Sequence, residues 1–130
     1  NSLGLNTFIE FEGWQPFNKI KSYIEIADIC VIPHIRSPQT DNSSPNKLFQ
    51  YMYFKKPVLA SNCISVEKII IKEKCGLIFN DKDSYSLAKQ IKKLYNNPLM
   101  RKTMGENGFL AVKTKYNWNT TVEPLLQTYE

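Results

Sequence analysis

One histidine, His34, is all the imidazole this chain offers, and its three cysteines, Cys30, Cys63 and Cys75, include no C-x-x-C pair. That scarcity excludes a disulfide framework and a zinc cluster, both of which need several such residues at fixed spacings. Buried, reduced thiols in a cytoplasmic protein are expected, with no cofactor and no metal. The N-x-S/T sequons at Asn42 and Asn119 have no role in that compartment. Long hydrophobic runs are missing too. The longest apolar runs, such as Ile29 to Ile32, reach about four residues, against the roughly twenty that a spanning helix needs. No transmembrane span and no signal peptide are expected.

Acidic charge is also in short supply: 17 basic side chains face 12 acidic ones, a net +5. The excess is local. Lys82, Lys89, Lys92, Lys93, Arg101, Lys102, Lys113 and Lys115 stand against only Asp83 and Glu106 in that stretch. We read it first as a solvated helix face and second as a surface for anionic lipid head groups. No motif that reads nucleic acid is present, so no nucleic-acid partner is expected. At 130 residues the chain is one small domain or part of one.

What the sequence does contain is an alternation of short apolar stretches with helical spacing. Thr7 to Glu12 alternates as a strand does, and Pro16 opens a helix with Phe17, Ile20, Tyr23 and Ile24 on one face. Ala27 to Ile32 reads as a buried strand stopped by Pro33. Residues 35 to 44 form an irregular loop. Ser44 as N-cap and Pro45 at the first helical position then start a helix carrying Leu48, Phe49 and Met52 inward. Strand Val58 to Ala60 and a helix from about Ser65, closed by Gly76 as C-cap, come next. Leu77 to Phe79 is a strand, and Asp83 caps a helix with Leu87, Ala88, Ile91, Leu94 and Tyr95 inward. A further helix runs from Pro98 towards Lys115, weakened by Gly105 and Gly108, and a last segment carries Val122, Leu125, Leu126 and Tyr129 at helical spacing. The pattern predicts an α/β fold, a parallel sheet with helices on both faces.

In such folds ligands bind beyond the strand ends, which directs attention to residues 41 to 60, DNSSPNKLFQYMYFKKPVLA. The start of that helix, with Lys47 in its first turn, suits an anion. The stretch resembles the donor-binding segment of family-4 GT-B glycosyltransferases (glycosyl transferases group 1), whose usual form is NKLFEYMAxGKPVIAS. EFEGW at 10 to 14, ADICVIPH at 27 to 34, EKCGLIFNDKDSYSLAKQI at 73 to 91, and MGENG followed by KYNW at 104 to 118 agree in order and spacing.

The resemblance implies a Rossmann-like C-terminal domain with strand order 3-2-1-4-5-6, of which this chain holds strands three to six. It implies that residues 1–130 are a partial domain whose N-terminal, acceptor-binding partner is absent. Strand Ala27 to Ile32 would then show a bare edge prone to self-association. The implied activity is transfer of a sugar from a nucleotide-sugar to a polysaccharide or lipid-linked acceptor with retention and without a metal, in the cytoplasm or at the inner face of the membrane. The implied donor-binding residues are Asn42, Ser43, Ser44, Asn46, Lys47 and Gln50, with Trp14 near the base; His34 joins them by its own position, just beyond a strand end and facing the crevice. No catalytic residue is assigned. The family's two glutamates, with seven residues between them, fall on Asn42 and Gln50, and its helix-ending glycine falls on Lys55. Two other readings follow from the lost carboxylates and the shared fold: a non-catalytic binding subunit, and a sugar-nucleotide epimerase.

Overall fold

In the computed structural model, which describes residues 3–122, three short parallel strands lie between helices on both faces. Chain order is α1 (Phe17–Ile26), β1 (Cys30–Ile32), α2 (Pro38–Asp41), α3 (Asn46–Tyr53), β2 (Val58–Ser61), α4 (Ile64–Glu73), β3 (Gly76–Phe79), α5 (Ser84–Tyr95) and α6 (Pro98–Thr114). The sheet order is β1-β2-β3, with Ile32 beside Ala60 and Ser61 beside Phe79. Every residue of the central strand β2 is buried, as parallel strands covered on two sides must be.

Two cores fill the space above and below the sheet. Ile32, Val58 and Ala60 meet Leu48 and Met52 of α3 and Val66 and Ile70 of α4 on one face. Leu59 and Phe79 meet Leu94 of α5 and, from α6, Met100 and Met104 on the other. Complete burial of a side chain such as Leu48 is worth roughly 1.5–3 kcal/mol relative to exposure. Helix α6 joins both cores, since Ala111 and Val112 belong to the first. It crosses beneath the strand starts, where Gly105 lies against the Lys55 carbonyl and Gly108 against Cys75 and Met52. The opposite rim, at the strand ends, stays open.

Local signals explain the starts of α5 and α6. Asp83 caps α5 by accepting the Ser86 N–H at 2.9 Å, and Asn97 caps α6 by accepting from Met100 at 3.0 Å, with Pro98 opening the helix. The three cysteines are buried and free, and burial pushes the Cys30 and Cys75 thiols up to about 11. Among the described residues no helix is long and apolar enough to cross a membrane.

Several expectations need correction. Thr7 to Glu12 is no strand: Phe8 and Ile9 donate back to the Leu5 carbonyl in a turn, and Phe8 and Phe11 are 84% and 89% exposed. Alternation alone does not make a strand when no neighbouring strand takes its hydrogen bonds. The sheet therefore has three strands among the described residues, and β1 begins at Cys30 rather than Ala27. Its far edge is unpaired there, as the strand order implied. In α1 only Ile24 is buried. The inward face expected for α5 is narrower than its spacing suggested, with Ile91, Ala88 and Tyr95 exposed.

The loop at 35 to 44 contains α2, opened by a capping box in which Ser37 and Thr40 each accept the other's backbone N–H. Pro45, not Ser44, is the N-cap of α3: its extended ψ of 141° places its carbonyl to accept from Leu48 at 3.0 Å. Helix α4 begins at Ile64 and ends on Lys74 in the left-handed conformation, φ 52°. Gly76 is not its cap but the first residue of β3, where a Cβ would stand 1.8 Å from the Val58 carbonyl oxygen. Lys55 likewise takes φ 56°, so a lysine adopts the backbone that the family's glycine would. The expected final segment at 122 to 129 lies outside the described residues apart from Val122.

Candidate functional site

Each strand ends in a loop that reaches the open rim, and polar contacts tie the three loops together. At the end of β2 the buried Ser61 hydroxyl donates to the His34 carbonyl at 2.6 Å, fixing the backbone just beyond β1. The Arg36 N–H donates to an Asp81 carboxylate oxygen at 3.1 Å, and the Asp81 N–H donates to the Asn62 side-chain oxygen at 3.0 Å. From there the ring continues to α4. The Arg36 guanidinium grips Asp41 with two nitrogens, Nε to Oδ1 at 3.2 Å and an Nη to Oδ2 at 3.1 Å, and Asp41 Oδ1 also accepts the first helical N–H of α4, from Ile64, at 3.1 Å.

Those bonds hold the Asp41 carboxyl below the usual carboxylate range, the Arg36 contact contributing most and the Ile64 N–H next. An open groove of about 570 Å³ lies above them, lined in part by Arg36, Asp41, Asn42, Asp81 and Lys82. Beside it, Pro33, His34, Phe79, Asp83 and Leu87 help line a second cleft of about 340 Å³.

Helix α3 points its first turn to this rim. No side chain caps it, so the N–H groups of Asn46 and Lys47 face outward at the positive end of the helix dipole. Lys47 is half-buried, and its charge reaches His34: desolvation first and Lys47 second lower the imidazole's pKa, favouring the neutral ring. The open rim thus carries the uncapped start of α3, the Lys47 ammonium in its first turn and, within reach of that charge, an imidazole biased towards its neutral form. Such a set can hold an anion and offset negative charge developing on it.

His34 lines the second cleft, Lys47 lies in the first turn of α3 within electrostatic reach of it, and Asn46 is exposed at the start of the same helix. Asn42, Ser43 and Ser44 are exposed on the loop between α2 and α3. The Asn42 amide donates to the Pro38 carbonyl at 2.7 Å, a bond that a carboxylate at this position could not donate. Gln50 is half-buried one turn beyond Lys47 on the same helical side. Trp14 stands apart, 88% exposed in the irregular stretch before α1. Sequence reasoning missed Arg36, Asp41, Asn62 and Asp81. Only Asp41 had a readable signal, since Ser37 followed by Pro38 marks a helix start that places Asp41 at its end.

A sheet of parallel strands with its polar loops on one rim and helices on both faces is the architecture of GT-B glycosyltransferases, and the comparisons agree. The chain matches sucrose-phosphate synthase from Thermosynechococcus elongatus with a TM-score of 0.82 and 26% identity, over 96% of this chain and 30% of that one. It also matches the C-terminal domain of a glycosyl transferase group 1 family protein from Francisella tularensis with a TM-score of 0.68 and 24% identity, over 85% of this chain and 53% of that one, a likeness of fold. An uncharacterised glycosyltransferase of Methanocaldococcus jannaschii is 27% identical over 126 residues, 97% of this chain and 31% of the relative. Residues 1–110 match the model of the family described as glycosyl transferases group 1, and the chain belongs to that family, with the fold of its C-terminal domain. It spans about a third of the length of the curated relatives it matches.

Proposed function

We propose that this chain is the donor-binding part of a glycosyltransferase that moves a sugar, with retention, from a nucleotide-sugar to a polysaccharide or lipid-linked acceptor. The observation that carries the reading is the uncapped start of α3 with Lys47 in its first turn, within electrostatic reach of His34, in a chain of this family. Breaking the sugar–phosphate bond leaves charge on a diphosphate, and the Asn46 and Lys47 N–H groups with the Lys47 ammonium are suited to receive it. Gln50, one turn deeper, is assigned to the ribose, and Ser43 and Ser44 to the phosphates or the sugar. The acceptor side belongs to the remainder of a longer protein, working in the cytoplasm. The cationic excess on α5 and α6 suits work beside an anionic membrane.

The test is protection from heat. A nucleoside diphosphate that binds only the native full-length protein raises its stability by about 2.7 kcal/mol at a hundred times its dissociation constant. Inorganic phosphate and free nucleoside should each do less. If no nucleoside diphosphate raises the melting temperature, the donor reading fails.

One observation favours a second reading. Asn42 and Gln50 stand where the resemblance sets glutamates, and neither amide can stabilise positive charge forming on a sugar. The chain would then serve a non-catalytic, donor-binding subunit. Transfer by the full-length protein, compared with Asn42→Glu and Gln50→Glu variants, separates the two: activity that appears only in the variants supports the subunit.

A further inference from the structure

We propose that Arg36 and Asp41 are positioning residues, a clamp that sets the path of the loop carrying Asn42 to Lys47 and so the affinity of the donor site for phosphate; this rests on the reading of that site given above. Asp41 sits at the end of α2, immediately before the loop, and binds three partners at once. Its carboxylate takes the Arg36 guanidinium through two nitrogens and the Ile64 N–H, and its carbonyl accepts the Ser65 hydroxyl at 2.7 Å. The loop is thereby fastened to the start of α4. Arg36 is fastened in turn, since its own N–H is held by Asp81.

Fastening matters because of what lies on either side. Four residues, 42 to 45, separate Asp41 from the first turn of α3, whose place is set by the buried Leu48 and Met52. With both ends fixed, so short a loop has few paths open to it, and its N–H groups are held ready before any ligand arrives. Asp41 is also well shielded for a rim carboxylate, its side chain 16% exposed, whereas Arg36 is 41% exposed. Shielding strengthens the pair relative to an open surface contact. Neither residue need touch the donor, because the clamp acts through the loop.

The experiment uses the full-length protein with Arg36→Ala and Asp41→Asn. The second variant keeps an oxygen for the Ile64 N–H while removing the charge, and so guards against simple loss of the fold. Hydrogen exchange at the Ile64 amide, which the Asp41 carboxylate holds, should quicken in both variants while that of Leu59 and Ala60 in β2 stays as it was. Calorimetry should show nucleoside diphosphate bound about tenfold more weakly, the scale of one charge-assisted hydrogen bond, with free nucleoside unchanged. Equal weakening of both ligands, or unchanged exchange at Ile64, overturns the proposal. If the unmodified protein binds no nucleoside diphosphate, the donor reading has failed instead, and the exchange measurement alone still decides whether Arg36 and Asp41 clamp the loop.

Discussion

A Cβ added to Gly105 would stand 2.0 Å from the carbonyl oxygen of Lys55, so α6 passes beneath the sheet with backbone nearly against backbone. The glycine in the middle of a helix, unfavourable by propensity, is what permits the crossing that joins the two cores. Gly105→Ala should therefore destabilise rather than help, by about 1–3 kcal/mol, because the obstacle is main chain and cannot swing away. Chemical denaturation checks it. An unchanged midpoint would mean that α6 can shift at little cost.

Lys74 closes α4 with φ 52°, a conformation that costs a residue with a Cβ roughly 1–2 kcal/mol. Lys74→Gly should thus stabilise the domain by about 1 kcal/mol, seen as a higher melting temperature. Its exposed side chain leaves little to lose.

The fold was legible where one signal sufficed. Asp83 and the Asn97-Pro98 pair placed α5 and α6, and the apolar run at 58 to 60 placed β2. Where the outcome depended on a neighbour, the sequence was silent. Thr7 to Glu12 alternates like a strand yet has no strand to pair with, and Gly76 reads as a helix cap although it is there for β2. At the site, Lys47 and the start of α3 were readable because they lie in one continuous stretch. Arg36, Asp41, Asn62 and Asp81 come from loops after three different strands, and only folding brings them together.

Glu73 anchors the end of α6. Its carboxylate, 6% exposed, accepts from Lys115 at 2.7 Å and from the Tyr116 hydroxyl at 3.0 Å. Burial alone would raise its pKa, but the bonds from Lys115 and Tyr116 outweigh it and the net shift is downward. A carboxyl with a folded pKa below its unfolded value contributes stability above the unfolded value, and that contribution is lost as pH falls through the folded one. Glu73→Gln should cost about 1–3 kcal/mol at neutral pH and progressively less under acid conditions. Denaturation curves across pH would show the gap between the two proteins closing; a constant gap would mean that packing, not charge, holds this corner.

The coupling of His34 to Lys47 has its own readout. Lys47→Ala removes a positive charge that disfavours the imidazolium, so the His34 pKa should rise towards its ordinary value without reaching it, since desolvation is the larger cause. A nuclear magnetic resonance titration of the single imidazole follows this directly. No movement of the His34 titration would place the two groups apart.

The position of the diphosphate is central. In the full-length protein, calorimetric titration of Lys47→Ala with a nucleoside diphosphate and with the free nucleoside decides it. Removing a charge-assisted contact costs roughly 1.5–3 kcal/mol, about tenfold to a hundredfold in affinity. The loss should fall on the diphosphate alone and shrink as salt is raised. Equal losses for the two ligands, or none for the diphosphate, would contradict the claim that the first turn of α3 receives the phosphates.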